Sequence, residues 1–207
     1  NVKLFDKILV GVSGRVDGSS RFGQDQRWGF FPAASAGYIL SNESFLANNN
    51  IFSFLKVRGS YGRTGNAEIG NFASRTLWGA NFVGDLAGSV PTQLGVNNLT
   101  WENTDQLDLG LEFGLLNDRI SGTFEYFEKK TKDLLLNLPL PATNGYTTIT
   151  KNLGSLSNKG VELTLTTQNF VGDFKWSTTF NISTYANKVT NMNGSTIDGG
   201  SRQLGRV

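Results

Sequence analysis

Among the 207 residues of this sequence, a few side chains have types and spacings that could do chemistry. Asp105, Asp108 and Glu112 gather three carboxylates in a short stretch, as a calcium site would. In an extended chain, however, side chains alternate, which puts Asp105 on the opposite face from the other two. Asp108 and Glu112 are then roughly 13 Å apart. A hydrated wall explains them better. Glu102 and Asp105 would need a separation of about 5–10 Å to act as paired acid and base on a glycoside. Only a loop conformation could supply that, so no catalytic pair is assigned. Gly59, Gly62 and Gly65 form a G-x-x-G-x-x-G run that matches neither the phosphate loop nor the dinucleotide fingerprint, and no helix follows it. They read as strand glycines. Cys and His are both absent, which excludes thiol nucleophiles, Ser-His-Asp triads, Cys/His metal sites and disulfides. We assign no enzyme activity, cofactor or metal.

Recognition is a better prospect than catalysis. Trp78, Phe82, Trp101 and Tyr146 fall in segments expected to be long loops, where rings can stack on sugar faces or pack on a partner protein. The competing role is loop–loop packing or an aromatic belt. Pro139 and Pro141 flank Leu140 and predict an extended, exposed arm.

The elements that must position these residues show a period of two. Between residues 106 and 115, Leu107, Leu109, Leu111, Phe113 and Leu115 share one face. Gln106, Asp108, Gly110, Glu112 and Gly114 share the other. A helix would scatter those leucines around its circumference. The same pattern predicts strands at residues 7–17, 31–40, 55–62, 119–126, 161–166 and 174–183, giving seven in all. Residues 44–54 could hold a short helical turn. Tight connections at 116–119 and 171–173 lie at one end of the meander, with 42–54 a medium-length exception. The long segments 18–29, 64–103 and 132–151 lie at the other. Short turns on one side and long loops on the other is the pattern of outer-membrane barrels.

Composition agrees. Hydrophobic residues make up 38% and charged residues 17% of the chain, both low for a compact globule. The deficit is filled by Gly, Asn, Ser and Thr. No stretch approaches the ~18 apolar residues of a helical membrane span. With Lys+Arg 19 against Asp+Glu 17, the charge is too balanced to suggest a nucleic-acid partner.

A soluble β-sandwich would also alternate, with its apolar face toward a dry core. Strand length, segregated loops and aromatics near strand ends favour a barrel. Its lipid face must be free of charge at mid-strand, where Lys or Arg costs about 2–4 kcal/mol. On this reading Arg at position 111 would be rejected and Arg at position 112 tolerated. Seven strands do not close a barrel of the usual even number. The chain opens at Asn1 without an apolar leader and closes in a Gly-rich stretch at 199–203. We therefore expect residues 1–207 to be a segment of one larger barrel domain.

Several motifs resemble the C-terminal third of the barrel of SusC/RagA-type TonB-dependent transporters, the outer-membrane nutrient importers of Bacteroidetes. They are Arg21-Phe22-Gly23 with residues 27–37, residues 55–66, Leu99-Thr100-Trp101-Glu102, residues 117–122 and 126–135, the distinctive run 152–163, and residues 176–189. The resemblance covers nearly the whole chain in the family's order. It implies an all-β, antiparallel, up-and-down transmembrane barrel in the outer membrane, plugged by an N-terminal domain and energised through TonB. It also implies a SusD-like surface lipoprotein as lid, and oligosaccharide or oligopeptide cargo. The TonB box and plug are not among these residues. A structural or interaction barrel of a larger outer-membrane assembly is the alternative, to be separated from a transporter by the presence of box and plug elsewhere. A soluble adhesin would be recognised by solubility without detergent.

Overall fold

The computed structural model describes residues 1–46, 49–83 and 85–191. The expected Gly-rich ending at 199–203 lies outside them. The strands are β1 (Val2–Leu4), β2 (Ile8–Gly18), β3 (Trp28–Ile39), β4 (Phe52–Asn66), β5 (Leu77–Val83), β6 (Leu86–Gln93), β7 (Glu102–Leu115), β8 (Ile120–Lys132), β9 (Leu135–Pro139), β10 (Thr148–Asn152), β11 (Ser155–Val171) and β12 (Lys175–Asn191). Single 3₁₀ turns occupy Gln24–Gln26, Leu40–Asn42 and Ala142–Asn144. Among the described residues no helix is long and apolar enough to cross a membrane.

Eight strands form one antiparallel sheet in the order β1-β2-β3-β4-β7-β8-β11-β12. The sheet is a meander, interrupted only where β5–β6 and β9–β10 form separate two-stranded hairpins. All seven expected strands are present and in register. The short β1, paired to Ile8–Val10, was not anticipated. The sheet is open, with β1 and β2 along one edge and β12 along the other.

Register makes the two faces continuous from strand to strand. Ile8, Tyr38, Val57, Leu111, Phe124, Leu163 and Ile182 lie in one row across the sheet. Val10, Ala36, Gly59, Leu109, Tyr126, Val161 and Thr184 form the next. Neither row carries a charge. The opposite face holds Lys56, Arg58, Asp108, Glu112 and Glu125. There Glu112 accepts from both Lys56 Nζ (3.1 Å) and Arg58 Nε (3.0 Å), and Arg58 also bonds Glu125. Asp108 accepts from Gln106 at 2.8 Å and Ser60 at 3.3 Å. These charges are thus joined across β4, β7 and β8.

Glycine spacing fits large side chains across strand pairs. A Cβ on Gly122 would lie 2.8 Å from the Phe113 ring, one on Gly160 2.8 Å from Phe127, and one on Gly18 2.7 Å from Trp28. In each case the ring belongs to the glycine's own register partner. The missing side chain is the seat of its neighbour's ring.

The short-turn end is fastened by polar contacts. Leu116, Asn117 and Asp118 all have positive φ (53°, 57° and 60°), the left-handed conformation that Asn and Asp tolerate best. Asp118 is pinned from both sides: its carboxylate accepts from Ser53 Oγ at 2.6 Å and its N–H donates back at 3.1 Å. Arg119 donates to the carbonyls of Gln168 (2.9 Å) and Asn169 (3.2 Å), which joins this turn to the end of β11. Between β3 and β4, Glu43 accepts from the Tyr38 hydroxyl and from Lys7 Nζ (2.9 Å). The Tyr38 bond first, then Lys7, holds the Glu43 carboxyl below its ordinary pKa of 4.5.

Two outcomes are expected. Leu111→Arg should block barrel assembly at a cost of about 2–4 kcal/mol, read as loss of heat-modifiable mobility in gels. The tolerance expected for Arg at 112 does not survive the structure, because it would face Lys56 and Arg58; Glu112→Gln is the tolerated change, and equal loss at both positions would reverse the assigned facing. Glu43 should fasten its turn fully above pH 4.5 and release it as pH falls through the depressed folded pKa. Carboxyl NMR should put its midpoint below 4.5, rising toward 4.5 in Tyr38→Phe.

Candidate functional site

The sheet has no interior of its own, and the main apolar cluster lies beneath the long connections. Phe22, Phe31, Ala73, Leu99 and Trp101 form it, with Ala67, Ile69, Val96 and Leu135 packed against them. Trp101 is its hub. Its ring lies 5.3 Å from Phe22 and 5.4 Å, edge-on, from Phe31, and its indole N–H donates to the Arg27 carbonyl at 3.3 Å. Residues from β3, from three connecting segments and from β9 converge there. Gly23 is needed because a Cβ would meet the Asn97 carbonyl at 2.4 Å.

Above this base stand the two hairpins, where the sequence predicted only loops. Pro139 ends β9, and the extended arm expected around Leu140 instead turns back: Leu140 N–H bonds the Thr147 carbonyl at 2.9 Å. Isolated hairpins are marginal in water, and side-chain amides anchor these. Gln93 Nε2 donates to the carbonyls of Phe72 (2.7 Å) and Arg75 (2.9 Å) at the foot of β5–β6. Asn152 clamps β10 to the strand entering β7. Its Oδ1 accepts from Thr100 N–H at 2.9 Å, while Nδ2 donates to the carbonyls of Thr100 (2.8 Å) and Asp133 (2.9 Å). Glu102 accepts from Leu135 N–H at 3.2 Å. These anchors satisfy backbone groups that have no ladder partner.

The four aromatic candidates separate into two sets. Trp78 and Phe82 are 64% and 70% exposed. They lie on one face of the β5–β6 hairpin, opposite Pro91 and Ala87, with small Ala80 and Ser89 between them. Tyr146 is half-buried in the β9–β10 turn. A Cβ on the adjacent Gly145 would sit 3.7 Å from Pro91, so the turn of β9–β10 lies against β6. Trp101, expected in an outward-facing segment, is only 8% exposed. Its surroundings make it the support of the platform and leave no ring face for a ligand. Sequence reasoning passed over the anchors Gln93 and Asn152. The signal was present in polar amides bordering apolar loop segments, as at Asn152-Leu153-Gly154.

The carboxylates are likewise dispersed. Asp105 bonds Arg63 (2.7 Å) and Tyr61 (3.0 Å) on the apolar side of the sheet, while Asp108 and Glu112 belong to the polar face. The arrangement offers surface for recognition: two supported hairpins, one of them carrying the exposed rings of Trp78 and Phe82, above a wall with one face free of charge at mid-strand.

Comparison with known proteins agrees with that architecture. The family model described as TonB dependent receptor-like, beta-barrel, matches residues 1–207. The TonB-dependent receptor SusC of Bacteroides thetaiotaomicron is 38% identical over 204 residues, covering 94% of this chain and 20% of that protein. TonB-dependent receptor P39 of Formosa agariphila is 38% identical over 188 residues, 90% of this chain and 18% of the relative. The chain therefore spans about a fifth of the length of these curated relatives. Among solved structures, the RagAB peptide importer in its closed-closed state superposes with a TM-score of 0.83 at 30% identity, over 90% of this chain and 21% of that one. The siderophore receptor PirA of Pseudomonas aeruginosa shares the fold at a TM-score of 0.57 and 19% identity. With the sheet, its segregated loops and the full-length family match all in accord, the chain belongs to the TonB-dependent receptor-like β-barrel family.

Proposed function

We propose that this chain forms part of the wall and extracellular end of an outer-membrane nutrient importer of the SusC/RagA type. Residues 1–207 are a segment of one larger barrel domain. Its apolar face meets lipid and its polar face lines the lumen, where a plug domain from the rest of the protein sits. Import is energised by TonB through that other part. Cargo is an oligosaccharide or oligopeptide, passed inward without chemistry on it, and a SusD-like lipoprotein covers the mouth.

The observation that carries this reading is the joint presence of four rows across the sheet without a charge, at Leu109, Leu111, Phe113 and Leu115, and a supported aromatic platform at the long-loop end. A charge-free face of that height is wasteful in water and required in lipid. SusC and RagAB, whose names denote a receptor and a peptide importer, share this stretch of sequence or fold.

The platform separates contact from scaffold. In the full-length protein, Trp78→Ala/Phe82→Ala should leave assembly intact and reduce uptake or lipoprotein retention several-fold, since exposed rings contribute mainly when covered. Trp101→Ala should instead loosen the loop end, at about 3–5 kcal/mol for a buried aromatic, seen as new proteolytic cuts in residues 67–101. Unchanged uptake and retention in the double variant would remove the hairpin from the recognition surface.

A further inference from the structure

Just beyond the charge-free rows, on the same apolar face, the sheet turns basic. One row across the strands reads Arg63, Asp105, Lys130, Ser157, Lys188. The row beneath it places Lys159 beside Glu128, and the row above carries Lys132 between Asn103 and Ser155. Two of these charges are matched: Arg63 by Asp105 at 2.7 Å and Lys130 by Glu128 at 3.0 Å. Lys159 has no ion pair among the described residues, and Lys188 lies on β12, whose outer edge has no strand beside it there. All four lysines are exposed. Register neighbours on adjacent strands are ~5 Å apart and diagonal ones ~7–8 Å. Lys130, Lys159 and Lys188 therefore stand in a diagonal series, each ~7–8 Å from the next, with Lys132 two residues beyond Lys130 on β8. Tyr61 and Tyr126 lie on this face next to the boundary, at the level where amphipathic rings mark a membrane interface.

This placement has a consequence for what the face meets. Arg63 and these four lysines outnumber the two carboxylates among them, Asp105 and Glu128, so the patch keeps a net positive charge that an anion would offset. They stand on the outward side, at the long-loop end, immediately above the apolar rows. We propose that Lys130, Lys132, Lys159 and Lys188 form a binding site for the phosphate-bearing headgroup of an outer-leaflet glycolipid, whose acyl chains lie along the row of Leu111, Phe124, Leu163 and Ile182. Charge complementarity chooses the occupant, since a phosphorylated lipid satisfies the cations and the apolar rows together, which a soluble anion does not. The proposal rests on the wall reading above and is independent of what the protein imports.

The test uses the full-length protein purified from outer membranes in mild detergent. Bound glycolipid is quantified by native mass spectrometry, and purified bisphosphorylated lipid A is added back beside its dephosphorylated form and inorganic phosphate. Wild type should retain the phosphorylated lipid and gain thermal stability from it, with little response to the other two. The quadruple change of these lysines to Gln should lower retention about tenfold, given roughly a factor of five per cation at an anionic surface and partial screening. Lys129→Gln, on the polar face beside Gln106 and Asn158, should leave it unchanged, and the quadruple change to Arg should restore it. If the Gln variant fails to assemble, the wild-type lipid comparison decides alone. Equal stabilisation by the dephosphorylated lipid or by inorganic phosphate would overturn the site, as would equal retention in the Gln variant. Absence of the wild-type protein from the outer-membrane fraction would overturn the wall reading and this proposal together.

Discussion

Every backbone N–H and C=O in a membrane-spanning wall must be paired within the protein, while one side of that wall carries no charge at mid-strand. Here both demands are met by one device, a continuous antiparallel register from β2 to β12. It uses the ladder to satisfy the backbone and strand alternation to sort the side chains. Because each strand hands its parity to the next, Ile8 and Ile182 occupy the same row although five strands lie between them. Lys56, Arg58, Glu112 and Glu125 are gathered on the other side by the same rule. No conventional core is required, and the side chains that a globule would bury are spread over a surface.

That economy shifts the burden of packing to the long-loop end. There the ladder stops, and backbone groups need other partners. Trp101, Phe22 and Leu99 supply a small interior, and Asn152, Gln93 and Glu102 close the remaining hydrogen bonds. The hairpins above it are thus held at their feet, and Trp78 and Phe82 stand exposed on one of them.

The wall was legible in the sequence because alternation is a local property, repeated seven times over. Its limits were less so. β8 continues through Glu128 to Lys132, and β11 begins at Ser155, well before Val161, because the ladder runs on above the apolar rows, where both faces are polar and the hydrophobic period vanishes. The hairpins were missed for a related reason. Residues 77–93 carry Gly, Ala, Asn and Pro on strands exposed on both sides, so nothing enforces a contrast between faces. At Trp101 the residue type was noticed and its role was not. Whether a ring in a connecting segment points outward or plugs the base depends on Phe22 and Phe31, which are distant in sequence.

Alternation by itself leaves one ambiguity: sliding a strand by two residues keeps every side chain on its proper side. The empty seats opposite the rings remove it. Phe113 fits over Gly122 but would collide with Phe124 or Ile120 two positions away, and Phe127 fits over Gly160 but meets Asn158 or Glu162 when displaced. Each ring and its glycine therefore act as a notch and pin that fix how far one strand is offset from the next. Those offsets add around a closed sheet to give its shear, and shear with strand number determines tilt and bore. In a closed barrel built on this sheet, the glycines of this short stretch would thus help to set the bore.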